Sequence, residues 1–481
     1  MSPIPEFRNL IGGELRRPSS GRYLDSINPV TGQVWARVPA SDRSDADAAV
    51  SAAAAALPAW AALTWAERGA YLDKVAAIHL KHGEELARLE TTDNGNPLAI
   101  NTLFNRDAMA TLWGHCAKQT LPGVSGMNVV LNHTMHGYTR REPYGVVVGI
   151  TAFNMPVGMF GGKAATALAG GNTVVVKPPE QASCGVLRLG EILADVLPPG
   201  VVNIVSGLGE EVADALVRHP KVAKVSMTGS SGTARLIQRA AADTLTPCVF
   251  ELGGKSPNIV LADADLDKAT PGLTYASMYN FNAGQSCVAG SRILVERPIL
   301  DEVVERIHAA AKKVVIGDPF DPATTMGPII SREQYNKVVG YIVGGAKEAK
   351  LLFGGRHGAQ VCPALPNGYW IEPTLFMAKD NGPLICREEI FGPVAVVIPF
   401  DTDDEAIAIA NDTQYGLASA VWTKDLSRAN RYVRDIEAGN VWVNTYAHSR
   451  FDVPFGGFKD SGYGHDSVSE FTREKTAIVA F

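Results

Sequence analysis

The sequence predicts an α/β protein of two parallel-sheet domains with a small β arm, and three observations carry that reading. The chain has 481 residues, more than the roughly 250 to 300 that one hydrophobic core supports, so at least two domains are expected. From residue 145 onward short apolar runs alternate with helical stretches, and the alternation resumes after residue 259. Parallel strands need such crossovers, which cover the sheet on both faces. Between residues 123 and 141 the pattern turns to alternating, β-branched residues, which reads as two short strands standing outside the helical scaffold.

The elements follow in order. Residues 9–40 read as short extended pieces broken by turns at Asn28-Pro29 and Thr31-Gly32. Residues 44–62 are Ala-rich with Asp45 and Asp47 near the start, where acidic side chains complement a helix dipole. Segments 66–94 and 98–118 continue as amphipathic helices, with Leu72, Val75, Ala76 and Ile78 in helical spacing. The first strand-helix series pairs strand 145–151 with a helix through 169, strand 173–176 with helix 183–196, strand 201–205 with a helix to 217, and strand 222–227 with a helix to 242. The second series runs from 259 to about 455, with strands such as 395–398 and 440–443.

Composition narrows the function classes. Hydrophobic residues at 46% with charged residues at 20% describe an ordinary soluble globular protein. The formal net charge of −6, without a run of five like charges, argues against nucleic acid as a partner. No basic region followed by an apolar core opens the chain, and no apolar run approaches the ~20 residues that span a bilayer, so a cytoplasmic protein with no membrane partner is expected. Six cysteines without a CxxC pair suit free thiols better than a disulfide frame or a metal site.

One of those thiols has the surroundings of a nucleophile. In Phe281-Asn282-Ala283-Gly284-Gln285-Ser286-Cys287-Val288-Ala289-Gly290, small and amide-bearing residues would let a substrate and backbone N–H groups reach the sulfur, as a tetrahedral oxyanion requires. Glu251-Leu252-Gly253-Gly254-Lys255-Ser256-Pro257 sets a carboxylate before two glycines and a turn, which offers a mobile general base. Alone, such a cysteine is structural about as often as catalytic, and such a glutamate is more often a surface turn. Two further motifs, Ala152-Phe153-Asn154-Met155-Pro156 and Lys177-Pro178-Pro179-Glu180, follow predicted strands, and ligands of parallel sheets sit at the carboxyl ends of strands. No strand is followed by a complete G-x-G-x-x-G; Gly207-Leu208-Gly209 holds two of its three glycines.

In order and spacing these motifs resemble the aldehyde dehydrogenase superfamily, from Asn28-Pro29-Val30-Thr31-Gly32 to Pro454-Phe455-Gly456-Gly457-Phe458-Lys459, nearly the whole chain. The resemblance implies NAD-dependent oxidation of an aldehyde to a carboxylic acid, with Cys287 as nucleophile, Glu251 as base, Asn154 and the Cys287 N–H as oxyanion donors, and Lys163 in support. It implies an NAD site built from Thr151, Ala152, Phe153, Lys177, Glu180, Gly207, Gly229, Ser230, Leu252, Glu389 and Phe391. Lys177 and Glu180 would meet the adenosine ribose, Glu180 favouring NAD over NADP, and Glu389 and Phe391 the nicotinamide ribose. Thr228-Gly229-Ser230 would hold phosphate at a helix N-terminus, although Gly232 and Ala234 stand where relatives often carry glutamate and glycine. An aldehyde tunnel is expected along Met109, Trp113, Met155, Met159, Gly162, Phe281, Ser286, Val288 and Phe455. No arginine or lysine is evident among these, and Gly162 falls where many relatives have a bulky aromatic, which points to a bulky hydrophobic or aromatic aldehyde. Gly158, Gly161 and Gly162 together mean either close packing or vacated space.

The same resemblance divides the chain into an NAD-binding domain (1–124 and 144–253), a catalytic domain (254–457) and an arm (125–143 and 458–481) that joins subunits into a homodimer or homotetramer. Two rival readings stand beside it. One is an acylating enzyme that resolves the thioester with coenzyme A, against which Glu251 argues. The other is an inactive binding or structural protein of the same fold.

Overall fold

Valine-rich segments form the centres of two sheets in a computed structural model of the chain, which describes residues 4–119, 126–274, 278–279, 282–448 and 450–481. Val146–Ile150 and Thr173–Lys177 are buried along their whole length, as strands covered on both faces must be. Each fully buried valine there contributes roughly 1.5 to 3 kcal/mol. They lie side by side in an eight-stranded sheet in the order Glu14–Arg16, Asn9–Ile11, Val202–Ile204, Thr173–Lys177, Val146–Ile150, Val222–Thr228, Cys248–Glu251, Gly462–Tyr463. The five strands from Val202–Ile204 to Cys248–Glu251 are parallel, and those at the two ends are antiparallel. Strand order reverses between Val146–Ile150 and Val222–Thr228, which opens a crevice beyond their carboxyl ends.

The second sheet has seven strands in the order Lys350–Phe353, Thr374–Met377, Val394–Phe400, Arg292–Glu296, Pro257–Val260, Ala418–Trp422, Asn440–Val443. All its pairs are parallel except that of Lys350–Phe353 with Thr374–Met377. A three-stranded antiparallel sheet pairs Met135–Pro143 with both Asn128–Asn132 and Thr472–Ala480. The expected mixed α/β architecture with parallel sheets is therefore present. The C-terminal stretch is divided, because Phe458–Lys459 pairs with Tyr415–Gly416 and Gly462–Tyr463 pairs with Cys248–Glu251 before the chain reaches the arm.

The helix Trp65–Asn94 reaches the site from behind. Thr64 and Glu67 form a reciprocal capping box at its start, and Gly95 ends it at φ 79°, the left-handed conformation that glycine adopts without a Cβ clash. The single helix expected over 98–118 is instead Leu98–Thr102, a π-helical turn Leu103–Ala108, and Met109–Gln119. The wide turn brings Arg106 against Gly83, where a Cβ would lie 2.5 Å from the Arg106 Cα. Hydrophobic periodicity does not register one inserted residue, so the break is invisible in the sequence.

Candidate active site

The crevice at the strand reversal is lined by loops from both sheets. Beyond Val146–Ile150 the chain turns through Asn154 into the helix Pro156–Ala169, whose proline occupies the first turn, where no N–H partner is lost. Asn154 is buried, and its Nδ2 donates to the Gln285 carbonyl at 3.0 Å. The second proton of that amide remains for a ligand. Its Oδ1 is buried without a partner.

The cysteine loop is pulled tight by its own amides. Asn282 Nδ2 donates to the Gln285 carbonyl at 2.6 Å, Gln285 Nε2 donates to the Asn282 carbonyl at 3.1 Å, and Gln285 Oε1 accepts from Ile330 N–H at 3.0 Å. These side chains brace the loop from behind, whereas the sequence suggested that they make room for substrate. Ala283 and Gly284 both have positive φ, 53° and 69°, and a Cβ on Gly284 would overlap the Gly392 carbonyl. Only glycine allows that approach. The loop delivers Cys287, half-buried, to a cavity of about 170 Å³ that also holds Asn154 and Glu251.

Electrostatics there disfavour the thiolate and raise the proton affinity of the carboxyl. Burial, with the Glu251 and Glu389 carboxylates nearby, pushes the Cys287 thiol up to about 12. Burial and the Asp466 carboxylate raise the Glu251 carboxyl well above the usual range, and the Lys163 ammonium opposes them. Both carboxyl oxygens of Glu251 are buried without a hydrogen-bond partner, so the group is uncommitted and free to take a proton. Behind it, Lys163 Nζ donates to Asp466 at 3.0 Å and to Ser226 Oγ at 2.8 Å, and Ser226 donates to Asp466 at 2.6 Å. Perturbed groups clustered on a cleft mark a functional site. Asp466 and Ser226 were not singled out by sequence, because they lie hundreds of residues from Glu251's neighbours in the chain or within a strand, and no local motif marks them.

The same cavity carries much of the predicted cofactor set. Ala152, Phe153, Gly229, Ser230, Leu252, Glu389 and Phe391 line it, with Gln334 and Lys337 in addition. Phe153 and Phe391 meet edge to face at 5.5 Å. Phe391 sits at φ 59°, and Gln334 Nε2 holds that turn by donating to the carbonyls of Ile390 and Phe391 at 3.0 and 2.8 Å. Glu389 accepts from Gly254 N–H at 3.0 Å, and a Cβ on Gly253 would overlap its carboxylate. Ser230 caps the helix Ser231–Ala242, accepting from Thr233 N–H at 3.1 Å. Lys177 Nζ donates to Glu180 at 3.0 Å at the end of the neighbouring strand. Gly207, at φ 158°, packs on Val212, where a Cβ would lie 2.6 Å from Val212 Cγ2. Thr151 Oγ1 is buried and unpartnered. A strand-end crevice with a helix N-terminus, close-packed glycines, two aromatic rings and an acidic group fits a dinucleotide. Gln334 and Lys337 carry no motif, and only their helix Arg332–Glu348 brings them here.

On the other side of Cys287 the predicted tunnel residues separate. Met109 and Trp113 are buried in the core around Phe160, and neither lines this cavity. Gly161 is a packing glycine, because a Cβ there would overlap Met109 Sδ, whereas a Cβ on Gly162 would meet nothing within 4 Å. Met155 and Met159 are half-buried, and Met159 lines the cavity beside Ala152 and Asn154. Ser286 and Val288 flank Cys287, and the Val288 carbonyl accepts from Tyr446 at 2.7 Å. Phe455 lines a second cavity of about 270 Å³ together with His115, Thr166, Arg450, Asp452 and Asp466. Arg450 brings a cation that the sequence reading did not include, held in a two-bond pair with Asp452 at 2.8 and 2.7 Å. Phe281 lies outside the described residues. Among the described residues no helix is long and apolar enough to cross a membrane and no cluster suits a metal ion.

A thiol, a carboxyl and an amide gathered at the dinucleotide crevice of a parallel sheet define a cysteine-dependent oxidoreductase. Residues 16–480 match the Aldehyde dehydrogenase family. A betaine aldehyde dehydrogenase of Rhizobium leguminosarum bv. trifolii is 40% identical over 489 residues, covering 100% of this chain and 98% of that protein. The P. syringae indole-3-acetaldehyde dehydrogenase AldA, solved with NAD+ and IAA, superposes with a TM-score of 0.96 at 37% identity, covering 100% of this chain and 98% of that one. A gamma-glutamyl-gamma-aminobutyraldehyde dehydrogenase of Burkholderia cenocepacia superposes with a TM-score of 0.95 at 40% identity over 100% and 97% of the two chains. The chain belongs to the aldehyde dehydrogenase family, as an NAD-dependent aldehyde dehydrogenase.

Proposed function

We propose that the enzyme oxidises a bulky hydrophobic or aromatic aldehyde to its carboxylic acid through a thioester on Cys287, with water as the final acceptor. The observation that carries this reading is the convergence of Cys287, Glu251 and Asn154 on one cavity at the strand reversal. Cys287 adds to the carbonyl carbon once Glu251 has taken its proton, which a carboxyl of raised basicity is suited to do. The resulting thiohemiacetal oxyanion is held by the free N–H of Asn154 Nδ2 and the Cys287 backbone N–H. NAD, when bound, supplies the hydride acceptor that converts this adduct to the thioester. Glu251 releases that first proton to solvent, takes a second from the attacking water, and passes it to the Cys287 sulfur as the C–S bond breaks, which frees the acid and restores the thiol. Lys163, Ser226 and Asp466 form a hydrogen-bonded group whose opposite charges act on the Glu251 carboxyl.

Glu389 and Phe391 would hold the nicotinamide end, and Lys177 and Glu180 the adenosine ribose, with Thr151, Gly207 and Leu252 shaping the wall between them. The residues 1–124 and 144–253 serve as the NAD-binding domain, 254–457 as the catalytic domain, and 125–143 with 458–481 as the arm that joins subunits into a dimer or tetramer in the cytoplasm. The open space at Gly162, with Met159 on the wall of the Cys287 cavity and Phe455 on that of the second, supports a bulky apolar substrate. Relatives named for betaine aldehyde and for indole-3-acetaldehyde give the panel its extremes. NADH formation should show the highest kcat/KM with aromatic aldehydes and low values with acetaldehyde, betaine aldehyde and succinate semialdehyde. A preference for the small, cationic or acidic aldehydes would overturn the substrate reading, and acyl-CoA formed on addition of coenzyme A would overturn the role of water.

A further inference from the structure

Behind the oxyanion amide lies a wholly buried polar cluster that the mechanism does not use. It sits where the helix Trp65–Asn94 ends and the chain turns at Gly95. Asn94 and Asn96, both almost completely buried, donate from Nδ2 to the same acceptor, the backbone carbonyl of Asn154, at 3.4 and 3.1 Å. Asn94 Oδ1 in turn accepts from Asn96 N–H at 3.0 Å and from Asn101 Nδ2 at 3.3 Å, so the two amides are oriented by their neighbours. Three residues beyond Asn154, the Val157 N–H donates at 3.3 Å to Glu90 on the same helix, whose carboxyl also accepts from Asn105 Nδ2 at 3.2 Å. One helix end therefore grips the turn 154–157 at its carbonyl and at its amide.

The grip matters because it holds both ends of this turn. Met155, between the two anchor points, is non-helical at φ −153° and ψ 64°, so helical geometry does not fix the orientation of Asn154 before it. Met155 makes no side-chain cap for the following helix, and the Val157 N–H in its first turn is met by Glu90 instead. A shift of the Asn154 backbone, which the bonds to its carbonyl resist, would carry the side-chain amide off the Gln285 carbonyl, and with it the N–H left for the oxyanion.

We infer that Asn96, assisted by Asn94, is a positioning residue for the oxyanion amide of Asn154. It touches neither substrate nor cofactor and acts on the rate through Asn154 alone. This rests on the proposed oxyanion role of Asn154. Removing an oxyanion donor costs about 100-fold or more in kcat, and a misplaced one costs a fraction of that, on the order of tenfold.

The test is a double-mutant cycle on kcat/KM for the best aldehyde, with NAD affinity measured by fluorescence titration. Asn96→Ala is expected to lower kcat/KM about tenfold, leave NAD affinity within twofold, and have no further effect in an Asn154→Ala background. A separate readout is the pre-steady-state burst of NADH, whose rate constant should fall in Asn96→Ala while deacylation does not. Equal losses from Asn96→Ala in both backgrounds, or no loss in the parent, would overturn the positioning role. Should Asn154→Ala itself keep the parent rate, the oxyanion reading fails, an outcome distinct from additivity. If Asn96→Ala is recovered insoluble, Asn94→Ala is read the same way, since it donates to the same carbonyl.

Discussion

Gly161 and Gly162 are adjacent in one helix and have opposite consequences. A Cβ at 161 would overlap the Met109 sulfur, and one at 162 would enter open space. Gly161→Ala should therefore destabilise the protein by about 1 to 3 kcal/mol, the usual cost of overpacking. Gly162→Ala should be neutral or stabilising by up to about 1 kcal/mol, because alanine is the better helix former. Thermal denaturation of the two variants checks the order, and the reverse order would mean that the tunnel wall has been misplaced. The sequence shows three glycines in five positions and offers packing or space as alternatives; only the residues across the gap decide between them. Cys287, Glu251 and Asn154, which share one cavity, could be singled out because each lies in a short motif that resembles those of the family. Ser226, Asp466, Gln334 and Lys337 were not, because what places them is the tertiary fold.

At the scale of elements, Val146–Ile150, Thr173–Lys177, Val202–Ile204 and Val222–Thr228 of the first sheet could be read directly, since short apolar runs bounded by turns have few other uses, whereas Cys248–Glu251 and Gly462–Tyr463 were not read as strands. The helix over 98–118 was misread as continuous, because a π-helical turn adds one residue without disturbing the composition. That turn contributes Asn105, which hydrogen-bonds Glu90 on the neighbouring helix. Burial pushes the Glu90 carboxyl up to about 8 from an ordinary 4.5. The folded state thus keeps the proton while the unfolded chain releases it, so the stability contributed by protonated Glu90 is full below about pH 4.5 and is lost as pH rises toward 8. The slope is at most about 1.4 kcal/mol per pH unit. Glu90→Gln, which keeps both acceptor contacts and cannot ionise, should gain stability over the parent as pH rises from 5 to 8. Parallel Tm profiles for the two proteins would show that Glu90 does not titrate in this way.

The whole molecule is two sheets whose loops meet at one crevice, and an arm that stands apart from it. The strand Asn128–Asn132 is exposed along its length, with Val130 79% and Ile478 on the opposite arm strand 61% accessible. An exposed apolar edge of that kind is ordinarily covered by a partner. Sedimentation at micromolar concentration should give a dimer or tetramer, and Val130→Lys should shift it toward smaller species; a parent that sediments as a monomer would contradict the arm's role. Two domains and an arm could be anticipated from length and alternation, but not that the C-terminal stretch would lend strands to the first sheet before reaching the arm. The central claim, that catalysis runs through a thioester on Cys287 which Glu251 resolves with water, is tested most directly in Glu251→Gln. Mixed with aldehyde and NAD, it should form its first NADH, about one per subunit, more slowly than the parent and then stall with an acyl group on Cys287 by peptide mass, because deacylation is slowed more than acylation. Absence of both the burst and the adduct, or NADH turnover that survives Cys287→Ala, would contradict the account.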